Sequence, residues 1–253
     1  MSRRDLVVGG ISVFSLQCGY LGIARPANAD GNNRAFLDIT VDGVGVGRIE
    51  IETLGNPSSR VGEQRFLDLA KEIQGVGYKR GKITQLQDSY IVGGGLQSLS
   101  YAANGETGIT GGITAEYLED ELQASTLKHD SAGLVSLNVR PMKDLESKDS
   151  IKAIDGKFVN VTQVFGQRPN GTEFYITTGP APDLDSTNLI IGTVVSGLDV
   201  VEKLQGLPRV KNNTNSPFFQ AGKTFKDRRA NVAELSFDRP FSKVIIQNCG
   251  LVS

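Results

Sequence analysis

From Ala35 onward, apolar and polar residues alternate over short runs with a period of two, the pattern of half-buried β-strands. In AFLDITVDGVGVGRIEIETLG the runs Phe36–Val41 and Gly47–Thr53 flank a glycine-rich turn, which predicts a hairpin. Further strand-like runs recur at LVSLNV, EFYITT, NLIIGTVV and SKVIIQN. Two stretches switch to the helical period. VGEQRFLDLAKEIQ, residues 61–74, puts Val61, Phe66, Leu69, Ala70 and Ile73 on one face, and LDVVEKLQGL ends before Pro208. GKITQLQDSYIVGGG, Gly81 to Gly95, reads as one extended segment closing on three glycines, where a backbone bends or admits a close neighbour. Short strands, two helices and many glycine turns predict a closed antiparallel barrel. Polar stretches at about 141–169 and 208–240 interrupt the strands and read as insertions within one domain. The triplet Gly43, Gly45, Gly47 imitates a dinucleotide-binding fingerprint, but a strand follows it where that motif needs a helix N-terminus.

The first thirty residues follow a different pattern. A basic start, an apolar run from about Leu6 to Ala24 and the small-x-small sequence Ala27-Asn28-Ala29 read as an export signal over residues 1–29, cleaved after Ala29. The run is short and broken by glycine, which disfavours a stable membrane anchor. The adjacent Arg3 and Arg4 resemble a twin-arginine signal; the alternative is a Sec-type signal with a chance arginine pair. Residues 30–253 then form the mature domain.

Composition narrows the chemistry. A formal charge of −1, or −3 once residues 1–29 are removed, argues against nucleic acid as a partner. A single histidine, His129 in LKHDSAG, excludes a His-cluster metal site and is read as structural, so no metal or cofactor is expected. Cleavage would leave Cys249 as a lone thiol, so packing rather than a disulfide must hold the mature fold. Cys249 itself reads as a small buried apolar residue. Asn160, Asn170 and Asn212 each begin an N-x-Thr sequon, which matters only along a glycosylating route.

The order of segments carries a more specific signal. FLDITVDGVGVGRIEIETLG, GYKRGKITQLQDSYIVGGG, GITGGITAEYLEDE, LKHDSAGLVSLN, NGTEFYITTGPAPDLDSTNLIIGTVVSGLDVVEKL and SKVIIQNCG together resemble the cyclophilin family, over nearly all of residues 35–253 apart from the two insertions. NGTEFYITT followed by LDSTNLIIGTVVSGLDVV is the most specific part. The resemblance implies a mainly β fold, a closed eight-stranded antiparallel barrel capped by two α-helices, with a proline-binding groove on its outer face. It also implies peptidyl-prolyl cis-trans isomerase activity on proline-containing segments of lumenal or exported proteins. With the twin-arginine-like start, the chain looks like a thylakoid-lumen cyclophilin of plants or green algae; a bacterial periplasmic location is the alternative.

Carried residue by residue onto this chain, the resemblance implies an altered site. The family's Phe-His-Arg tripeptide falls on Ile83, Thr84 and Gln85, so Gln85 stands where the catalytic arginine is expected. The Phe-Met pair becomes Tyr90 and Ile91, the pocket glutamine Gly93, and the alanine that meets peptide backbone Asn138. Tyr175 replaces the floor phenylalanine, Asp183 the tryptophan and Asn188 the pocket histidine, while Leu184 keeps its leucine. A hydrophobic proline pocket is therefore expected with weakened polar chemistry. The alternative is a catalytically silent module acting as a chaperone or assembly factor.

Overall fold

A computed structural model describes residues 33–96, 113–139, 147–154, 157–164, 171–225, 227–234 and 236–252. The expected signal, with Arg3, Arg4 and Ala29, and the sequon at Asn170 lie outside the described residues. Among the described residues, ten strands and five α-helices follow in chain order. They are β1 (Arg34–Val41), β2 (Val44–Thr53), α1 (Arg60–Ala70), β3 (Ile83–Leu86), β4 (Tyr90–Gly93), α2 (Ile113–Ala124), β5 (Leu134–Asn138), β6 (Ser147–Ile154), β7 (Lys157–Val164), β8 (Phe174–Thr177), β9 (Asn188–Ser196), α3 (Leu198–Gln205), α4 (Pro217–Thr224), α5 (Arg228–Glu234) and β10 (Val244–Leu251).

Eight of the strands form one antiparallel sheet in the order β10-β1-β2-β9-β5-β8-β4-β3. Its two edges nearly meet. Arg80 donates its N–H to Ile246 O at 2.7 Å, Ile246 returns one to Gly81 O at 2.9 Å, and Lys82 bridges Ile245. Curling the sheet into an almost closed barrel removes edges that would otherwise pair with other chains. The alternation seen in the sequence decides what faces inward: Ala35, Leu37 and Ile39 of β1 and Ile49 and Ile51 of β2 are buried, with the intervening residues exposed or half-buried. Phe66, Tyr78 and Phe174 pack inside with ring centroids 5.1–6.2 Å apart, in tilted and edge-on arrangements that suit aromatic quadrupoles.

Helices α1 and α3 add Phe66, Leu67, Leu69 and Ala70, and Val200, Val201 and Leu204, to the same core, as expected of the two capping helices. Helix α1 stops earlier than its periodicity predicts. Glu72 adopts φ +56°, a left-handed residue that ends the helical path, and Ile73 is left exposed. Helix α2 buries Leu118 in the core, and the Glu121 carboxylate accepts the N–H groups of Val61 (2.8 Å) and Gly62 (3.0 Å) at the start of α1. A carboxylate on those unpaired amides complements the positive end of the helix.

Both interrupting stretches hold secondary structure. Strands β6 and β7 pair only with each other, as a separate two-stranded sheet, and β7 contains Phe158-Val159-Asn160-Val161. Helices α4 and α5 occupy the second stretch. Its stem is pinned beside β3, where Asp238 O accepts the N–H of Leu86 at 2.7 Å.

Candidate functional site

The segment from Gly81 to Gly95 is a hairpin rather than one extended strand. It reverses at Gln87–Ser89, with Gln87 N–H donating to Tyr90 O at 2.8 Å. Gly94 then bends the chain at φ +84°, where a Cβ would lie 2.8 Å from Thr172 O, so only glycine fits. The register from β3 through β4 and β8 to β5 runs Gln85↔Val92, Val92↔Tyr175 and Tyr175↔Ser136. Cross-strand partners share a face. That face is the outer one, because Ile83, Leu86, Ile91 and Phe174 belong to the interior cluster.

A second, smaller apolar cluster sits on the outer face: Tyr90, Val92, Ala181 and Leu184, with Tyr175 packed against them. The rings of Tyr90 and Tyr175 lie 5.5 Å apart, tilted by 44°. Polar groups rim the cluster. Asn138 Nδ2 donates to Tyr175 Oη at 3.1 Å, and Tyr90 Oη donates to Asp183 Oδ2 at 3.3 Å. Asn188 is buried; its Nδ2 donates to Ser136 Oγ at 3.4 Å and its Oδ1 accepts from Thr187 Oγ1 at 2.8 Å. Burial, then the negative charge of Asp183, holds the Tyr90 phenol well above the usual tyrosine range, so it acts as a neutral donor. Gln85 is half-buried at the cluster's β3 edge. Beside it, Arg209 is ion-paired with Asp88 at the hairpin turn, and Asp238 is partly buried with its carboxyl pushed up by that burial.

Known proteins resemble this chain. A model of the cyclophilin type peptidyl-prolyl cis-trans isomerase family matches residues 146–221. The chloroplastic peptidyl-prolyl cis-trans isomerase CYP26-2 of Arabidopsis thaliana is 35% identical over 237 residues, 91% of this chain and 74% of the relative. The chloroplastic peptidyl-prolyl cis-trans isomerase CYP28 of the same plant is 36% identical over 131 residues, 51% of this chain and 41% of that relative. The peptidyl-prolyl cis-trans isomerase cyp11 of Rhizopus delemar is 27% identical over 227 residues, 87% of this chain and 50% of its own. This chain belongs to the cyclophilin family. Cyclophilins are peptidyl-prolyl cis-trans isomerases, acting on peptide segments that contain proline.

Seven of the residues expected in the cyclophilin's groove come together on the outer face or its rim: Gln85, Tyr90, Asn138, Tyr175, Asp183, Leu184 and Asn188. Two do not, and they are corrections. Ile91 is fully buried in the interior cluster, and a Cβ at Gly93 would lie 2.5 Å from Ile83 Cδ1 and 2.8 Å from Phe174 Cζ, both interior atoms. The cause is the two-residue period of β4: with Tyr90 and Val92 outward, Ile91 and Gly93 must point inward. Val92 and Ser136 were missing from the expected set, although the same period, counted from Tyr90 and Asn138, marks both as outward-facing. Asp238 carried no such signal, since a stretch distant in sequence brings it beside Tyr90.

The remaining expectations concern residues away from the groove. His129 is buried; its Nδ1 and its backbone N–H both reach Asp185 Oδ1 at 2.8 Å. Cys249 is half-buried against the core, and that burial pushes its thiol up, away from the reactive thiolate. Among the described residues no group of three His, Cys, Asp or Glu could hold a metal ion, and no helix is long and apolar enough to cross a membrane.

Proposed function

We propose that the outer-face cluster is a proline-binding groove with reduced catalytic power, so that this cyclophilin isomerises peptidyl-proline bonds slowly. The observation carrying this reading is the register that sets Gln85 opposite Val92, on the face shared by Tyr90, Tyr175 and Leu184. Prolyl isomerisation rotates an amide over a barrier of about 18–20 kcal/mol without breaking a bond. A site must hold the ring in an apolar pocket and donate a hydrogen bond as the twisted nitrogen becomes a better acceptor. Tyr90, Val92, Tyr175 and Leu184 supply the pocket. Gln85 supplies a neutral amide where the family has arginine, and charge-assisted bonds are roughly twice as strong as neutral ones. Losing one preorganised charged donor typically costs about a hundred- to a thousandfold in rate.

A second reading, a binding module without turnover, draws on the contrast between a well-packed apolar cluster and a neutral residue at the position of the catalytic donor. An isomerisation assay on Ala-Pro test peptides with wild type and Gln85→Arg separates the two. A gain on substitution supports slow catalysis. No turnover in either protein, with peptide affinity retained in both, supports the binding module.

Two chloroplastic relatives support a chloroplast location, and the Arg3-Arg4 pair ahead of the apolar run supports delivery to the thylakoid lumen, where proline-containing segments of lumenal proteins would be the clients. Import into isolated chloroplasts with an Arg3→Lys/Arg4→Lys variant tests this: a twin-arginine route should stall, whereas unchanged lumenal delivery would overturn it.

A further inference from the structure

Apart from Arg209 and Asp238, the second interrupting stretch has charge and an exposed face that the groove does not use. Residues 208–240 hold seven Lys and Arg against three Asp and Glu, a net charge of +4, whereas the rest of the chain carries −5. Helix α4 within it has two unlike faces. One turns inward: Phe219 packs against Phe237 with centroids 5.4 Å apart, and a Cβ at Gly222 would lie 3.2 Å from Ala230 Cβ on α5. The other turns outward, where Phe218 is 90% exposed, Ala221 is exposed and Phe225, at the helix cap, is 83% exposed. Their i, i+3, i+7 spacing is that of a single helical stripe. On α5, Arg229 and Val232 are exposed as well.

We propose that the outward stripe of α4 docks onto an anionic lipid bilayer. Two phenyl rings standing in water at opposite ends of a two-turn helix form a ridge rather than a pocket. A bilayer interface accepts such a ridge by letting each ring settle among the headgroups, without needing a complementary shape. The net charge of +4 on this stretch, with Arg229 exposed on α5 while Lys223 is ion-paired with Glu234, matches a surface of negative headgroups. A lone apolar stripe would not choose between lipids. The local excess of positive charge on an otherwise acidic chain selects an anionic surface, and an acidic protein partner is the outcome that would compete.

The experiment uses residues 30–253, which remove the apolar leader and contain the compact unit Asn32–Ser253 with every strand of the barrel. The chain has no tryptophan, so Phe225→Trp places a single reporter on the stripe. With phosphatidylcholine vesicles containing about one-third phosphatidylglycerol, its emission should shift to the blue, and sedimentation should show at least roughly tenfold more bound protein than with phosphatidylcholine alone. Binding should fall steeply with added salt. The double variant Phe218→Ser/Phe225→Ser should lose about tenfold in binding while keeping its thermal melt, because both rings are solvent-exposed. No blue shift, equal binding to both vesicle types, or full binding by the double variant would each overturn the proposal.

Discussion

The Asp185 carboxylate clamps His129 twice, accepting its backbone N–H and its ring Nδ1–H, each at 2.8 Å. A carboxylate only accepts, so the ring must carry its proton on Nδ1. His129 O in turn accepts the N–H of Ala181 at 2.8 Å, so the clamp holds the short turn that presents Asp183 and Leu184 to the groove. Asp185→Ala would strand two buried donors, at about 1–3 kcal/mol. A melt lowered by roughly 2–10 °C is expected from that cost in a chain of this size. The His129 backbone bond holds the Asp185 carboxyl below the usual carboxylate range. Its contribution is therefore complete above an unfolded value of about 3.9 and disappears as pH falls through the lower folded value. The melting difference between wild type and Asp185→Asn should stay constant from about pH 7 to 5 and close below about pH 4. A difference that does not shrink at all as pH falls below about 4 would refute the clamp.

Gln85→Arg should raise turnover of Ala-Pro peptides at least tenfold over wild type, and wild type should run at least about a hundredfold below an ordinary cyclophilin. The rise should appear in kcat more than in KM, because the added charge meets the twisted amide rather than the bound proline. Wild-type turnover within tenfold of an ordinary family member would sink this reading.

How far these residues were legible depended on distance along the chain. Phe36–Val41 announced β1 because one face of an antiparallel strand is buried and the other wet, so its alternation is written in the composition. Tyr175 and Asn138 were legible only through the resemblance to the cyclophilin family, carried over position by position. The segment after Gly81 misled because its turn, Gln87-Asp88-Ser89, contains neither glycine nor proline, and because the register shifts between Ile83 and Gln85. Such a shift breaks the simple count of faces. The α4–α5 pair lay in a stretch read as an insertion, though Ser216 followed by Pro217 is a helix-start signal. Asp238 comes near Tyr90, and Arg209 to Asp88 of the hairpin turn, only through the tertiary fold, which no local pattern encodes.

Restoring the family residue at position 93 should fail. Gly93→Gln would drive a side chain between Ile83 and Phe174, and the Phe174 ring is held edge-on by both Tyr78 and Phe66. Overpacking of this kind costs about 1–3 kcal/mol. A lower denaturant midpoint with no gain in isomerase rate is expected. A gain in rate without loss of stability would show that the side chain reaches the groove.

Cyclosporin should bind weakly. In the family a tryptophan at the position of Asp183 offers a broad amphipathic surface and an indole donor; here an exposed carboxylate accepts from Tyr90 instead. Calorimetry should find no submicromolar affinity for wild type and at least roughly a tenfold gain for Asp183→Trp. Submicromolar binding by wild type would overturn this expectation.

The β6–β7 hairpin leaves the barrel at the groove's edge and returns there. Asn138, whose amide rims the groove, ends β5; its N–H donates to Glu173 O and its O accepts from Gly171 N–H, each at 3.0 Å. The two roots of the excursion are therefore tied together without help from the hairpin, which pairs only with itself. Replacing residues 142–168 by a short Gly-Ser linker should leave the barrel folded, since each doubling of loop length changes closure by only about 0.6 kcal/mol. A melt within roughly 5 °C of wild type and an unchanged rate on short Ala-Pro peptides are expected, because the pocket side chains stand on β4, β8 and the turn ending at Leu184. Longer proline-containing substrates would extend past Asn138, where the excursion is rooted, so on the hypothesis that the excursion helps choose substrates the linker variant should lose rate or affinity on unfolded protein substrates while keeping it on tetrapeptides. Equal losses on both substrate lengths would assign the hairpin to the barrel's stability. No loss on either would remove it from substrate choice altogether.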